Sequence, residues 1–168
     1  MTKATMVLLG IIFGLIILVN QSFAAEKLGY VDLSRTFSEY GKTKDYDKVL
    51  TEKEAVYDTE RGKKVDEVKQ FQDKMNLLSD KEKETKKAEL ETKIKTLQDF
   101  DRQKQTDLRK EQDEKMKEIL KDIENAVKQY AESQGYALVF NDRVLVYQVK
   151  SLDITDKIIE IVNKGYKK

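Results

Sequence analysis

From Lys42 to Gln134 apolar residues recur only every three or four positions, set among dense charges of both signs, with no proline and one isolated glycine, Gly62. That spacing predicts long helices whose apolar stripe is too narrow for an ordinary core. Ser79-Asp80-Lys81-Glu82 matches the S-x-x-E capping box. The pattern therefore divides into a first helix over about 42–78 and a second over about 80–134, reversing near Leu78 and Ser79. Gly135 stands where a C-cap glycine is expected.

At 1.5 Å per residue these helices span about 55 Å and about 80 Å. Paired antiparallel about the turn, they bring Lys42 opposite approximately Met116, and the rest of the second helix overshoots the first. Beyond that point the stripe thickens through Met116, Ile119, Leu120, Ile123, Ala126, Val127 and Tyr130, so the second helix is expected to return into a body. A heptad reading places Phe71, Met75, Leu78, Leu90, Ile94 and Leu97 in an apolar distal seam, interrupted near mid-length by Arg61, Lys64, Asp101 and Lys104. Packing between the arms is expected to be weak there. Gly62 falls in the same stretch, at about 1 kcal/mol relative to alanine, and reads either as a possible hinge or as a plain surface glycine. Pairs such as Glu82–Lys86 and Glu111–Lys115 at i,i+4 each add about 0.2–0.5 kcal/mol of helix stability in water.

Outside the arms the period shortens. Leu28 to Leu33 reads as a strand, Ser34 to Gly41 as a connector or short helical turn. Tyr136 to Phe140 and Val144 to Val149, joined by Asn141-Asp142, read as a β-hairpin. Leu152-Asp153-Ile154-Thr155-Asp156 opens a terminal helix with Asp153 as N-cap, Gly165 beyond its end, and Ile154, Ile158, Ile161 and Val162 as its buried face. The predicted fold class is α+β: a long antiparallel helical hairpin over 42–116 projecting from a small β-strand body over 25–41 and 117–168. A body of that size, without cysteine, is marginal alone and leaves strand edges open. Self-association through the body, with Val31, Leu33, Val139 and Ile158 as its apolar residues, answers both problems.

Composition narrows the function classes. Met1 to Ala25 carries one charge, Lys3, then an apolar run from Met6 to Val19 and the small residues Ser22 and Ala24 about Phe23, the parts of a signal peptide cleaved after Ala24. That apolar run falls short of the roughly 20 residues that span a membrane. Removal of residues 1–24 takes Lys3 with it and leaves 31 basic against 31 acidic side chains. A neutral chain is a poor binder of nucleic acid. Histidine and cysteine are both absent, which removes the commonest metal ligands and the usual general base. No G-x-S-x-G, S-x-x-K or phosphate-cradling glycine loop is present. No catalytic, cofactor or metal residue is assigned, and an enzyme is disfavoured.

The residues Leu28-Gly29-Tyr30-Val31-Asp32-Leu33-Ser34-Arg35, Tyr136-Ala137-Leu138-Val139-Phe140 and, most specifically, Leu152-Asp153-Ile154-Thr155-Asp156 resemble the Skp/OmpH family of periplasmic chaperones over nearly the whole mature chain. The resemblance implies a homotrimer with a β-body and three helical tentacles. It further implies an ATP-independent periplasmic holdase for unfolded outer-membrane proteins. Well-known members are strongly basic, so the neutral charge here argues against binding of lipopolysaccharide or an anionic membrane surface. Many weak contacts on flexible arms suit capture and release without nucleotide. Val49, Val56, Leu77 and Phe100 are apolar yet off the predicted seam, which makes them the candidate client contacts. The competing reading is a coiled-coil scaffold of the cell envelope, which accounts for the helices and leaves the body without a purpose.

Overall fold

The structure is a computed structural model and describes residues 26–166; the expected signal peptide and its cleavage point lie outside the described residues. The order of elements is β1 (Lys27–Val31), α1 (Leu33–Glu39), α2 (Gly41–Asn76), α3 (Asp80–Gln134), β2 (Tyr136–Asn141), two 3₁₀ turns at Asp142–Val144 and Lys150–Leu152, and α4 (Thr155–Gly165).

Local chemistry sets most of the boundaries. Asp32 caps α1 by accepting from the Arg35 N–H at 2.8 Å. Tyr40 then adopts an extended conformation (φ −70°, ψ 127°), which separates α1 from α2. At the tip, the Glu82 carboxylate reaches back to accept the Ser79 N–H at 3.1 Å, so the capping box opens α3 as the sequence suggests. Gly135, at φ 69°, closes α3 in the left-handed conformation that only glycine adopts without strain. Gly62 sits inside unbroken α2, with nothing within 4 Å of where a Cβ would stand.

β1 and β2 pair in parallel, Leu28 opposite Leu138 and Val31 opposite Asn141. Parallel strands need a crossover connection, and here the whole arm serves as one. The expected hairpin is absent. The Asn141 side chain accepts from the Arg143 N–H at 3.3 Å and the Leu145 N–H donates to the Asp142 carbonyl at 3.0 Å, a local turn that carries the chain onward instead of reversing it. Val144 to Val149 forms no strand, and β1 is flanked by β2 and by a single bridge from Tyr30 to Asp153. The body therefore holds two strands rather than three.

One core unites these pieces: Val31, Tyr40, Ile119, Ile123, Ala126, Ile154, Ile158 and Val162 are buried together. Leu33, Val127, Tyr130, Val139 and Ile161 pack against them. The thickened stripe of α3 buries Ile119, Ile123 and Ala126 but leaves Met116 and Leu120 exposed. Val31 and Ile158 lie inside this core at 3% and 0% exposure, so they hold the chain's own fold together and do not form its outer surface. At the start of α4 the Asp153 carboxylate accepts from the Thr155 N–H at 2.9 Å, although the cap position itself falls to Ile154, and Gly165 is the last helical residue rather than one beyond it.

Candidate functional site: the paired arms

α2 and α3 are tied at the root by charge. Lys42 Nζ lies 2.6 Å from Glu118 and 2.7 Å from Asp122, and the Tyr40 hydroxyl donates to Asp122 at 3.2 Å. Burial pushes against the charged form of Lys42, but the hydrogen bonds to Asp122 and Glu118 outweigh it and hold the ammonium above its ordinary value. Glu118, bonded to Lys115 and Lys42, is pulled down to about 2. Burial, with Asp122 beside it, pushes Tyr40 up to about 12.

A second tie stands at mid-length, where the sequence predicts weakness. The Tyr57 and Phe100 rings stack with centroids 5.9 Å apart, and Lys64 and Lys104 lie over Phe100 at 5.1 and 5.6 Å. Around them Tyr57 donates to Asp101 at 3.2 Å, Arg61 pairs with Asp101 at 3.1 Å and Lys104 with Glu60 at 3.1 Å. Phe100 thus belongs to the seam, contrary to the heptad reading. A straight helix drifts by about 20° per heptad against a strict seven-residue repeat. Over the length of α3 that drift turns Lys93 and Phe100 inward while leaving Ile94 37% exposed.

Between the two ties the arms part to leave a groove of about 460 Å³. Val49, Val56, Tyr57 and Leu108 give it an apolar floor, and Glu52, Lys53, Lys104, Asp107 and Glu111 surround it. Lys53 and Glu111 bridge the two helices at 2.5 Å. Beyond mid-length Val68, Phe71, Met75, Leu90 and Leu97 are half-buried against one another's helices, and Leu77 projects at the tip with 88% exposure.

The family model of the outer membrane protein (OmpH-like) family matches residues 27–162. The chain belongs to the OmpH-like family. Among solved structures, a candidate outer membrane chaperone (OmpH-like) from Caulobacter crescentus aligns over 86% of this chain and 88% of its own, with a TM-score of 0.77 at 13% identity. At that identity the likeness speaks to the fold alone. No curated protein matches the chain.

Of the four candidate contact residues of this OmpH-like chain, Val49 and Val56 meet in the groove, Leu77 lies far away at the tip, and Phe100 is consumed by the stack on Tyr57. Leu108 was hidden from sequence reasoning because it stands seven residues beyond Asp101, in the heptad register of the predicted seam. A second surface was also missed. Leu138, Phe140, Val144, Val146, Tyr147 and Val149 are exposed on β2 and the segment after it, with Val146 fully exposed and Tyr147 at 82%. Reading them as a hairpin concealed this patch. The apolar run Val144, Val146, Tyr147 and Val149, left without the pairing a strand would give it, was its only signal.

Proposed function

We propose that this OmpH-like chain is an ATP-independent holdase that binds unfolded outer-membrane proteins in the periplasm and keeps them from aggregating. The observation that carries the reading is the groove between the arms, where apolar residues from both helices stay open to solvent inside a frame of charges. Each contact with such a surface is small and easily broken by itself, while the many together supply avidity for an unfolded chain. Family membership and the chaperone description of the Caulobacter crescentus structure support the same role. In this reading 42–116 is the gripping arm, 25–41 and 117–168 the body, and a signal peptide cleaved after Ala24 delivers the chain to the periplasm.

The body then joins three copies. The exposed apolar residues Leu138, Phe140, Val144, Val146, Tyr147 and Val149, close together in the chain, support this, because clustered exposed apolar residues mark interaction sites. Dilution of a urea-unfolded outer-membrane barrel protein into buffer tests the whole reading. Light scattering should be suppressed by the mature protein and restored in part by the triple variant Val49→Ser, Val56→Ser, Leu108→Ser. Full aggregation of the client beside the folded wild-type protein would leave an envelope scaffold as the better account.

A further inference from the structure

α1 and α2 are two helices where one would be simpler. The extended conformation of Tyr40 breaks the hydrogen-bond ladder between them, leaving the Glu39 carbonyl at the end of α1 and the Gly41 N–H at the start of α2 without helical partners. A residue from the far end of the chain supplies both. Asn163 of α4 accepts the Gly41 N–H on its Oδ1 at 2.7 Å and donates through Nδ2 to the Glu39 carbonyl at 3.2 Å. The same Nδ2 is anchored to its own helix, 3.0 Å from the Ile159 carbonyl. One primary amide, donor on one side and acceptor on the other, splices the broken helix.

Tyr166 completes the joint. Its ring meets Tyr40 edge-on with centroids 5.5 Å apart, and its hydroxyl donates to Asp45, one turn into α2, at 3.1 Å. The fit is close. A Cβ at Gly41 would stand 3.2 Å from both Asn163 Oδ1 and the Tyr166 ring.

We propose that Asn163 and Tyr166 are positioning residues that clamp the root of α2 and thereby set how stiffly the arm stands. The mechanics follow from how the two helices are attached. α3 runs unbroken from the tip into the body core, whereas α2 is held at the tip by the turn at Leu77–Ser79 and at the root by this joint, by the Lys42 ion pairs and by the buried Tyr40 with its bond to Asp122. Bending two joined rods requires one to slide past the other. With both ends of α2 tied, sliding is blocked and the pair bends as a single thick beam. With the root released, α2 is free to shift along α3 near the body, while the Tyr57–Phe100 stack still ties the two helices at mid-length. The C-terminal helix, which makes no part of the arm, therefore controls the arm.

The absence of cysteine allows a clean test by paired spin labels and pulsed dipolar distance measurement, the labelled chain being diluted into excess unlabelled chain so that each distance lies within one protomer. A root pair at Lys48→Cys and Lys110→Cys reads sliding near the clamp, and a distal pair at Lys69→Cys and Lys95→Cys reads the apolar seam; all four positions are exposed. Asn163→Ala should broaden the root distribution and leave the distal one as narrow as in the parent. Tyr166→Phe, which loses only the bond to Asp45, should broaden the root distribution to a smaller degree, and it stands in if Asn163→Ala does not fold. A root distribution unchanged in the folded variants, or equal broadening of both pairs, would overturn the clamp.

Discussion

Thr155 is 1% exposed and joins two segments. Its hydroxyl accepts the Asp32 N–H at 2.9 Å and donates to the Asp153 carboxylate at 2.5 Å, so the Leu152–Asp156 stretch and the end of β1 share one hydrogen-bonded knot. Thr155→Val keeps the shape and removes both bonds. A buried N–H left unsatisfied costs about 1–3 kcal/mol. The urea midpoint should fall accordingly at fixed protein concentration, and an unchanged midpoint would mean that water reaches Asp32. Glu118 makes a pH prediction. Its folded value of about 2 lies below the ordinary carboxylate value, so its contribution to stability is present above roughly pH 4.3 and is lost as pH falls towards about 2. The difference in urea midpoint between the parent and Glu118→Gln should therefore shrink steadily across that window. Its side chain is 44% exposed, which keeps the effect modest.

The elements of the arm owe their persistence to two kinds of contact. Exposed ion pairs such as Lys104–Glu60 each contribute about 0–1 kcal/mol and weaken in salt. The Tyr57–Phe100 stack contributes about 0.5–1.5 kcal/mol beyond its buried area and is insensitive to salt. Phe100→Ala should therefore speed amide hydrogen exchange around residues 55–61 and 98–104 while protection at Ile119 and Ile123 stays at its parent level, since those residues belong to the body core. Uniform loss of protection along the whole chain would show that arm and body fold as one unit.

At the scale of the whole molecule, a small two-stranded body carries an apolar patch on its outside and a complete core within. The two respond differently to charge. On the proposed trimer, Val146→Asp with Tyr147→Asp, both side chains exposed in the single chain, should shift sedimentation towards monomer with helical circular dichroism retained. Ile158→Asp buries an unpaired charge and should unfold the chain outright. A doubly substituted protein that still sediments as a trimer would move the interface away from this segment.

Much of this architecture was legible because it depends on near neighbours. Helical period, the Ser79–Glu82 capping box, the Gly135 cap and the apolar face of α4 are written within a few residues of one another, and each falls where the periodicity and turn chemistry place it. The core was legible for the same reason, since Ile119, Ile123, Ile158 and Val162 follow their own helices' stripes. The two-residue turn Asn141-Asp142 is the local signal that misled, because either a hairpin or a 3₁₀ turn satisfies it, and here the Leu145 N–H donates to the Asp142 carbonyl and closes the 3₁₀ turn. The parallel pairing of β1 with β2, the inward rotation of Phe100 and the splice of Glu39 to Gly41 by Asn163 all join residues far apart in the chain. Local propensity carries no information about such contacts. They are decided when a drifting helix meets its partner and β1 and α4 close on one core.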